Sequence, residues 1–146
     1  MLSAATITKY KNAVLGRRFD LSVAYVTPAK MKVLNRAHRK INKATDILSF
    51  PLSKNSGEII MCKSEVASHA KEWGMAAAQY LPFLVIHGML HLRGLDHGRI
   101  MESEERKYCR RFGLVHPRDS EKTNGRTDRS GNRRRHAQRA RRRRAR

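Results

Sequence analysis

The stretch His87-Gly88-Met89-Leu90-His91-Leu92-Arg93-Gly94-Leu95-Asp96-His97 constrains this chain more than any other. It closes an apolar run that begins at Met75, which predicts a buried helix, and it contains a glycine able to take the positive φ of a helix stop. Residues four apart share a helix face, so His87 and His91 aim their imidazoles at one point. A chain turned back at Gly94 brings His97 to that point from outside the helix. Three neutral imidazoles with an open fourth position are the donor set of a catalytic zinc site.

The spacing agrees with the zinc-peptidase signature H-E-x-x-H-x-x-G-x-x-H at every fixed position but one. Where that signature has its glutamate base, this chain has Gly88. A glycine takes no proton from water, so the metal cage is kept while the peptidase chemistry is not. A hydrolase of another kind is expected.

With 146 residues the chain has the length of about one domain, enough to bury a core without staples. Lys and Arg number 32 against 12 acids, a formal charge of +20. The excess divides evenly, +10 before Pro117 and +10 from Pro117 onward, so the body attracts polyanions without help from its end. Residues 117–146 are rich in Arg, Ser, Asn, Gly and Asp and nearly devoid of large apolar side chains, which predicts a disordered basic tail after a domain over residues 1–116. Cys62 and Cys109 have no C-x-x-C partner and are expected to be reduced. The first residues lack the apolar core of a leader, and Met75–Leu92 carries Gln79, Pro82, His87 and His91, so neither secretion nor a membrane span is expected. The expected location is cytoplasmic.

Periodicity predicts helices over Ser3–Leu15, from Pro28 (after the cap Thr27) to about His38, over Ser64–Trp73, from about Gln79 to Arg93 with Pro82 in its first turn, and over Met101–Phe112. Strands are expected over Phe19–Val26, over Ile47–Phe50 with Pro51 as its stop, and over Ile59–Met61. Without strict alternation this is an α+β fold, a small mixed sheet with helices packed on it and the zinc site at the end of a central helix.

The histidine block resembles the signature of the YbeY family, bacterial and organellar endoribonucleases of ribosomal RNA maturation. A second block, Leu34-Asn35-Arg36-Ala37-His38-Arg39-Lys40-Ile41-Asn42-Lys43-Ala44-Thr45-Asp46-Ile47-Leu48-Ser49-Phe50-Pro51, is similar to that family's L-N-x-x-[YF]-R-x-K-D-x-P-T-[ND]-V-L-S-F-P, and Gly57-Glu58-Ile59-Ile60 stands where the family has G-D-[IL]. The resemblance implies one zinc per chain on His87, His91 and His97, with Arg39 as the catalytic basic residue. A guanidinium can hold a phosphate through two parallel hydrogen bonds, which suits that role. Ribosomal RNA, and with it a ribosomal protein, are the implied partners. Thr45, Ser49 and Phe50 are weaker candidates, and Asp96 could orient a ligand imidazole or cap its own turn.

This chain departs from the pattern at Leu95, at His38 (an aromatic ring in the family), at Ile41-Asn42-Lys43-Ala44 and at Glu58. None of these replaces a ligand residue. The competing functions are a zinc metallopeptidase, opposed by Gly88, and a non-catalytic RNA-binding factor of ribosome assembly. Aromatics make up 6% of the chain, too few for a base-stacking platform, so RNA affinity should rest on backbone charge. Metal-activated water and the RNA 2′-hydroxyl both stand as nucleophiles.

Overall fold

Val26 and Thr27 turn a strand into a helix within two residues, and such local signals set most element boundaries. The computed structural model describes residues 1–123. Helix α1 (Ala4–Val14) starts at Ser3, whose hydroxyl accepts from the Thr6 N–H at 3.1 Å. Strand β1 (Asp20–Tyr25) follows, and helix α2 (Pro28–Arg39) starts at Thr27, which accepts from the Lys30 N–H at 3.2 Å. Strands β2 (Ile47–Ser53) and β3 (Ser56–Met61) form a hairpin, followed by helices α3 (Lys63–Glu72), α4 (Ala77–Leu92), α5 (Arg99–Phe112) and α6 (Pro117–Thr123).

The sheet runs β1-β3-β2, with β3 parallel to β1 and antiparallel to β2. Side chains alternate across it and separate two cores. Ile47, Ile59 and Met61 join the cluster built on α4, while Leu48, Ile60 and Cys62 pack with Met31 of α2 on the opposite face. Helix α4 is buried at every residue from Tyr80 to Leu90, so it is the central element. One buried carboxylate braces it. Asp46 accepts from Tyr80 Oη of α4 at 2.9 Å and contacts His69 Nδ1 of α3 at 2.7 Å. The expected α+β class and mixed sheet are therefore present.

Three expectations need correction. Pro51 does not stop its strand, because β2 lies at the sheet edge where a missing N–H breaks no ladder, and the register shifts just beyond it. Pro82 sits in the second turn of α4 rather than the first, since the helix begins at Ala77, whose cap N–H at Ala76 is held by Gln79 Oε1 at 3.3 Å. The basic tail does not begin without structure at Pro117. Helix α6 is anchored where Ser120 Oγ donates to the Trp73 carbonyl at 2.9 Å, and the expected disorder beyond it falls outside the described residues. Among the described residues no single helix is long and apolar enough to cross a membrane.

Candidate metal centre

The last two turns of α4 present His87 and His91 on one face, as their spacing requires. Arg93 caps the helix and Gly94 takes φ +92°. The Leu95 N–H then donates to the Leu90 carbonyl at 3.1 Å, and the reversed chain delivers His97. The three Nε2 atoms lie 3.2, 3.2 and 3.3 Å apart. His87 is buried and His97 exposed, so the cluster opens to solvent on the His97 side.

Each imidazole nitrogen is either donor or acceptor, so three mutual contacts cannot all be hydrogen bonds. A cation shared by three lone pairs removes the conflict. Tetrahedral zinc with bonds of about 2.0–2.1 Å sets nitrogen spacings of roughly 3.3 Å, close to the triangle found. Among the described residues these histidines are the one group of three or more donors able to hold a metal.

The surroundings fix the tautomers. His91 Nδ1–H donates to the Leu95 carbonyl at 2.9 Å, which leaves Nε2 with its lone pair. Burial first, and then the neighbouring His87, lower the His91 pKa to about 4, so its lone pair is free at neutral pH. His87 Nδ1 faces Glu105 Oε2 at 3.7 Å. The same oxygen lies 3.4 Å from His116 Nε2, whose ring accepts the Arg118 N–H at Nδ1 and therefore carries its proton toward Glu105. Both facing nitrogens are buried without a full hydrogen bond, and Glu105 is the acceptor each one meets. Burial works against the Glu105 charge, but the two imidazoles outweigh it and hold the carboxyl at about 2.

Gly88 allows α4 to sit this close to the sheet. A Cβ there would meet Ile47 Cδ1 at 2.7 Å, Ser49 Oγ at 3.1 Å and Ile59 Cδ1 at 3.3 Å. The position of the peptidase base is filled by the sheet.

Arg39 is the last residue of α2, fixed by Lys40, whose left-handed φ of +57° closes the helix. Its charge is among those that lower the His91 pKa, after burial and the neighbouring His87. Ser49 and Phe50 each make a contact that packs the sheet against a helix. Ser49 binds the Gly88 carbonyl, and Phe50 packs against the His38 ring at 4.4 Å. Thr45 Oγ1 donates to Asp46 Oδ1 at 3.3 Å. Asp96 is exposed, and its carboxylate makes no hydrogen bond or ion pair among the described residues. The orienting role falls to Leu95 and Glu105 instead.

Glu105 and His116 were not anticipated. The available signal was Met101, Glu105, Tyr108 and Cys109, a buried stripe at helical spacing that contains one acid.

The comparisons with known proteins agree with one another. A family model described as Endoribonuclease YbeY matches residues 2–113. A Chromohalobacter salexigens protein named Endoribonuclease YbeY is 36% identical over 124 residues, 77% of this chain and 80% of that relative. One of the same name from Carboxydothermus hydrogenoformans is 36% identical over 109 residues, 68% of this chain and 76% of its own. A solution structure from Thermotoga maritima superposes with a TM-score of 0.53 at 30% identity, covering 71% of this chain and 74% of that one. This chain belongs to the endoribonuclease YbeY family.

Proposed function

We propose that the protein is a zinc-dependent endoribonuclease that hydrolyses RNA phosphodiester bonds in ribosomal RNA maturation and ribosome quality control. The observation that carries this reading is the Nε2 triangle of His87, His91 and His97, open on one side and set in a domain whose family is named for RNA cleavage. An all-imidazole donor set favours zinc, one per chain. Bound there, zinc would supply a Lewis acid for a phosphoryl oxygen.

The remaining roles belong to the chain itself. Arg39 grips the scissile phosphate through its planar fork and stabilises the charge that develops on it. Leu95 and Glu105 hold His91 and His87 in the ligand tautomer. The basic body, +10 before Pro117, draws in the RNA backbone. The peptidase reading loses its support because Gly88 supplies no base, and a Cβ there would press on Ile47, Ser49 and Ile59. A cytoplasmic location, a ribosomal protein partner and an RNA-tethering basic end from residue 117 onward belong to the same proposal.

The test is cleavage of ribosomal RNA fragments by the full chain, with and without chelator, beside Arg39→Lys. Chelator-sensitive cleavage that Arg39→Lys largely loses while keeping its zinc is expected, because lysine lacks the two-pronged geometry. Cleavage unaffected by chelator, or an Arg39→Lys variant at full rate, would overturn the assignment.

A further inference from the structure

A second cationic site lies away from the histidines. The end of α1, the turn after it and the end of α5 enclose a surface cavity of about 390 Å³ lined by Lys9, Asn12, Ala13, Arg17, Arg111 and Phe112. Three of its six lining side chains are cations and none is an acid. Lys9, Arg17 and Arg111 form no ion pair with any described residue. Like charges gathered without a counter-charge repel one another, and an anion between them relieves that repulsion.

The cavity is also held in shape. Phe112 packs against the buried Tyr10 ring at 4.7 Å, and the Lys9 Nζ and Arg111 Cζ atoms lie over the Phe112 ring at 5.3 and 5.6 Å. Lys11 Nζ donates to the carbonyls of Arg17 and Phe19, both at 3.0 Å, and so fixes the turn that presents Arg17. The donors outnumber the acceptors, since the Asn12 amide oxygen is the one side-chain acceptor in the lining. This suits a phosphodiester, which offers acceptors and negative charge.

Its place in the fold connects it with the metal centre. Ala13, in the cavity wall, accepts from Tyr108 Oη at 3.3 Å through its carbonyl, and Arg93 donates to that same hydroxyl at 3.3 Å. Arg93 is two residues beyond His91, so the cavity sits at the end of α4 that carries the histidines.

We propose that this cavity binds a backbone phosphate of the RNA strand remote from the scissile bond, as an anchoring site separate from the metal centre. The proposal rests on the reading of the protein as an RNA-cleaving enzyme, and binding can be measured apart from cleavage. The ligand for the test is an uncleavable 2′-O-methyl RNA oligonucleotide, titrated against the full chain over a range of salt. Wild type is compared with Lys9→Gln/Arg17→Gln/Arg111→Gln and with the charge-keeping Arg17→Lys/Arg111→Lys. The glutamine variant should bind roughly tenfold more weakly at low salt, with its salt slope lowered by about 0.7, the value for one lost phosphate contact on a single strand. The lysine variant should stay near wild type, which separates lost charge from lost fold. Zinc content and the cleavage rate at saturating RNA should not change.

Equal affinity and slope in the glutamine variant would overturn the anchoring site. So would inorganic phosphate binding that the same substitutions abolish while oligonucleotide binding stays intact, because the cavity would then serve a free anion. A wild type that binds the oligonucleotide through these residues yet never cleaves RNA would leave the anchor standing and defeat the enzymatic reading.

Discussion

Ser49 and Gly88 are joined across the helix–sheet interface, where the Ser49 hydroxyl donates to the Gly88 carbonyl at 3.0 Å. The bond occurs because α4 rests on β2 and β3 with no Cβ between them, and it steadies the turn of helix that carries His87 and His91.

Gly88→Glu, the change that would complete a peptidase signature, should destabilise the fold by about 3 kcal/mol or more and yield no peptidase. The new side chain meets Ile47, Ser49 and Ile59 and would bury a carboxylate without a partner. Thermal unfolding beside a peptide-hydrolysis assay reads both. A variant of wild-type stability would show that α4 has room to move off the sheet.

Glu105→Gln should keep the fold and weaken metal binding by roughly 10–100-fold, the usual effect of losing a residue that orients a ligand histidine. Glutamine has the same shape but no charge to hold the His87 and His116 protons. Competition with a chelator measures the affinity, and an unchanged value would reduce Glu105 to a packing residue.

The cysteines should resist alkylation in the folded protein. Cys109 is buried, and burial, followed by the nearby Glu105 charge, raises its thiol to about 11, leaving little reactive thiolate at neutral pH. A raised folded value also means that the stability this thiol contributes is full below the unfolded thiol pKa and is lost as pH rises through about 11. Mass spectrometry after iodoacetamide should show labelling of Cys62 and Cys109 only in denaturant. Rapid labelling of the native protein at neutral pH would contradict the burial.

Truncation should depend on where the cut falls. Ending the chain at His116 removes the Ser120–Trp73 bond and the Arg106–Asp119 pair at 2.7 Å, at a cost of about 1–2 kcal/mol, most of it from the better-buried Ser120. Ending it at Thr123 should leave the unfolding midpoint unchanged. Equal midpoints for the two truncations would make α6 dispensable.

Features encoded within a few residues were legible in the sequence. The cap at Thr27, the end of the last long helix at Phe112 and the i, i+4 spacing of His87 and His91 each carry their own geometry. Pro51 was misread because its tolerance depends on β2 being an edge strand, a property of the whole sheet. Helix α6 was missed because its anchor, Trp73, lies in a distant part of the chain. Glu105 escaped notice for the same reason, since its partners His87 and His116 lie on either side of it in sequence and meet it only in the folded protein.

Zinc content of the full chain, compared between wild type and His91→Ala, tests the metal centre most directly. His91 is the one histidine whose Nε2 lies 3.2 Å from both others, so its loss opens the triangle at its middle. One zinc per wild-type chain and a sharp loss in the variant, with circular dichroism unchanged, is the predicted result. Full occupancy in His91→Ala, or a wild type that takes up no zinc, would contradict it.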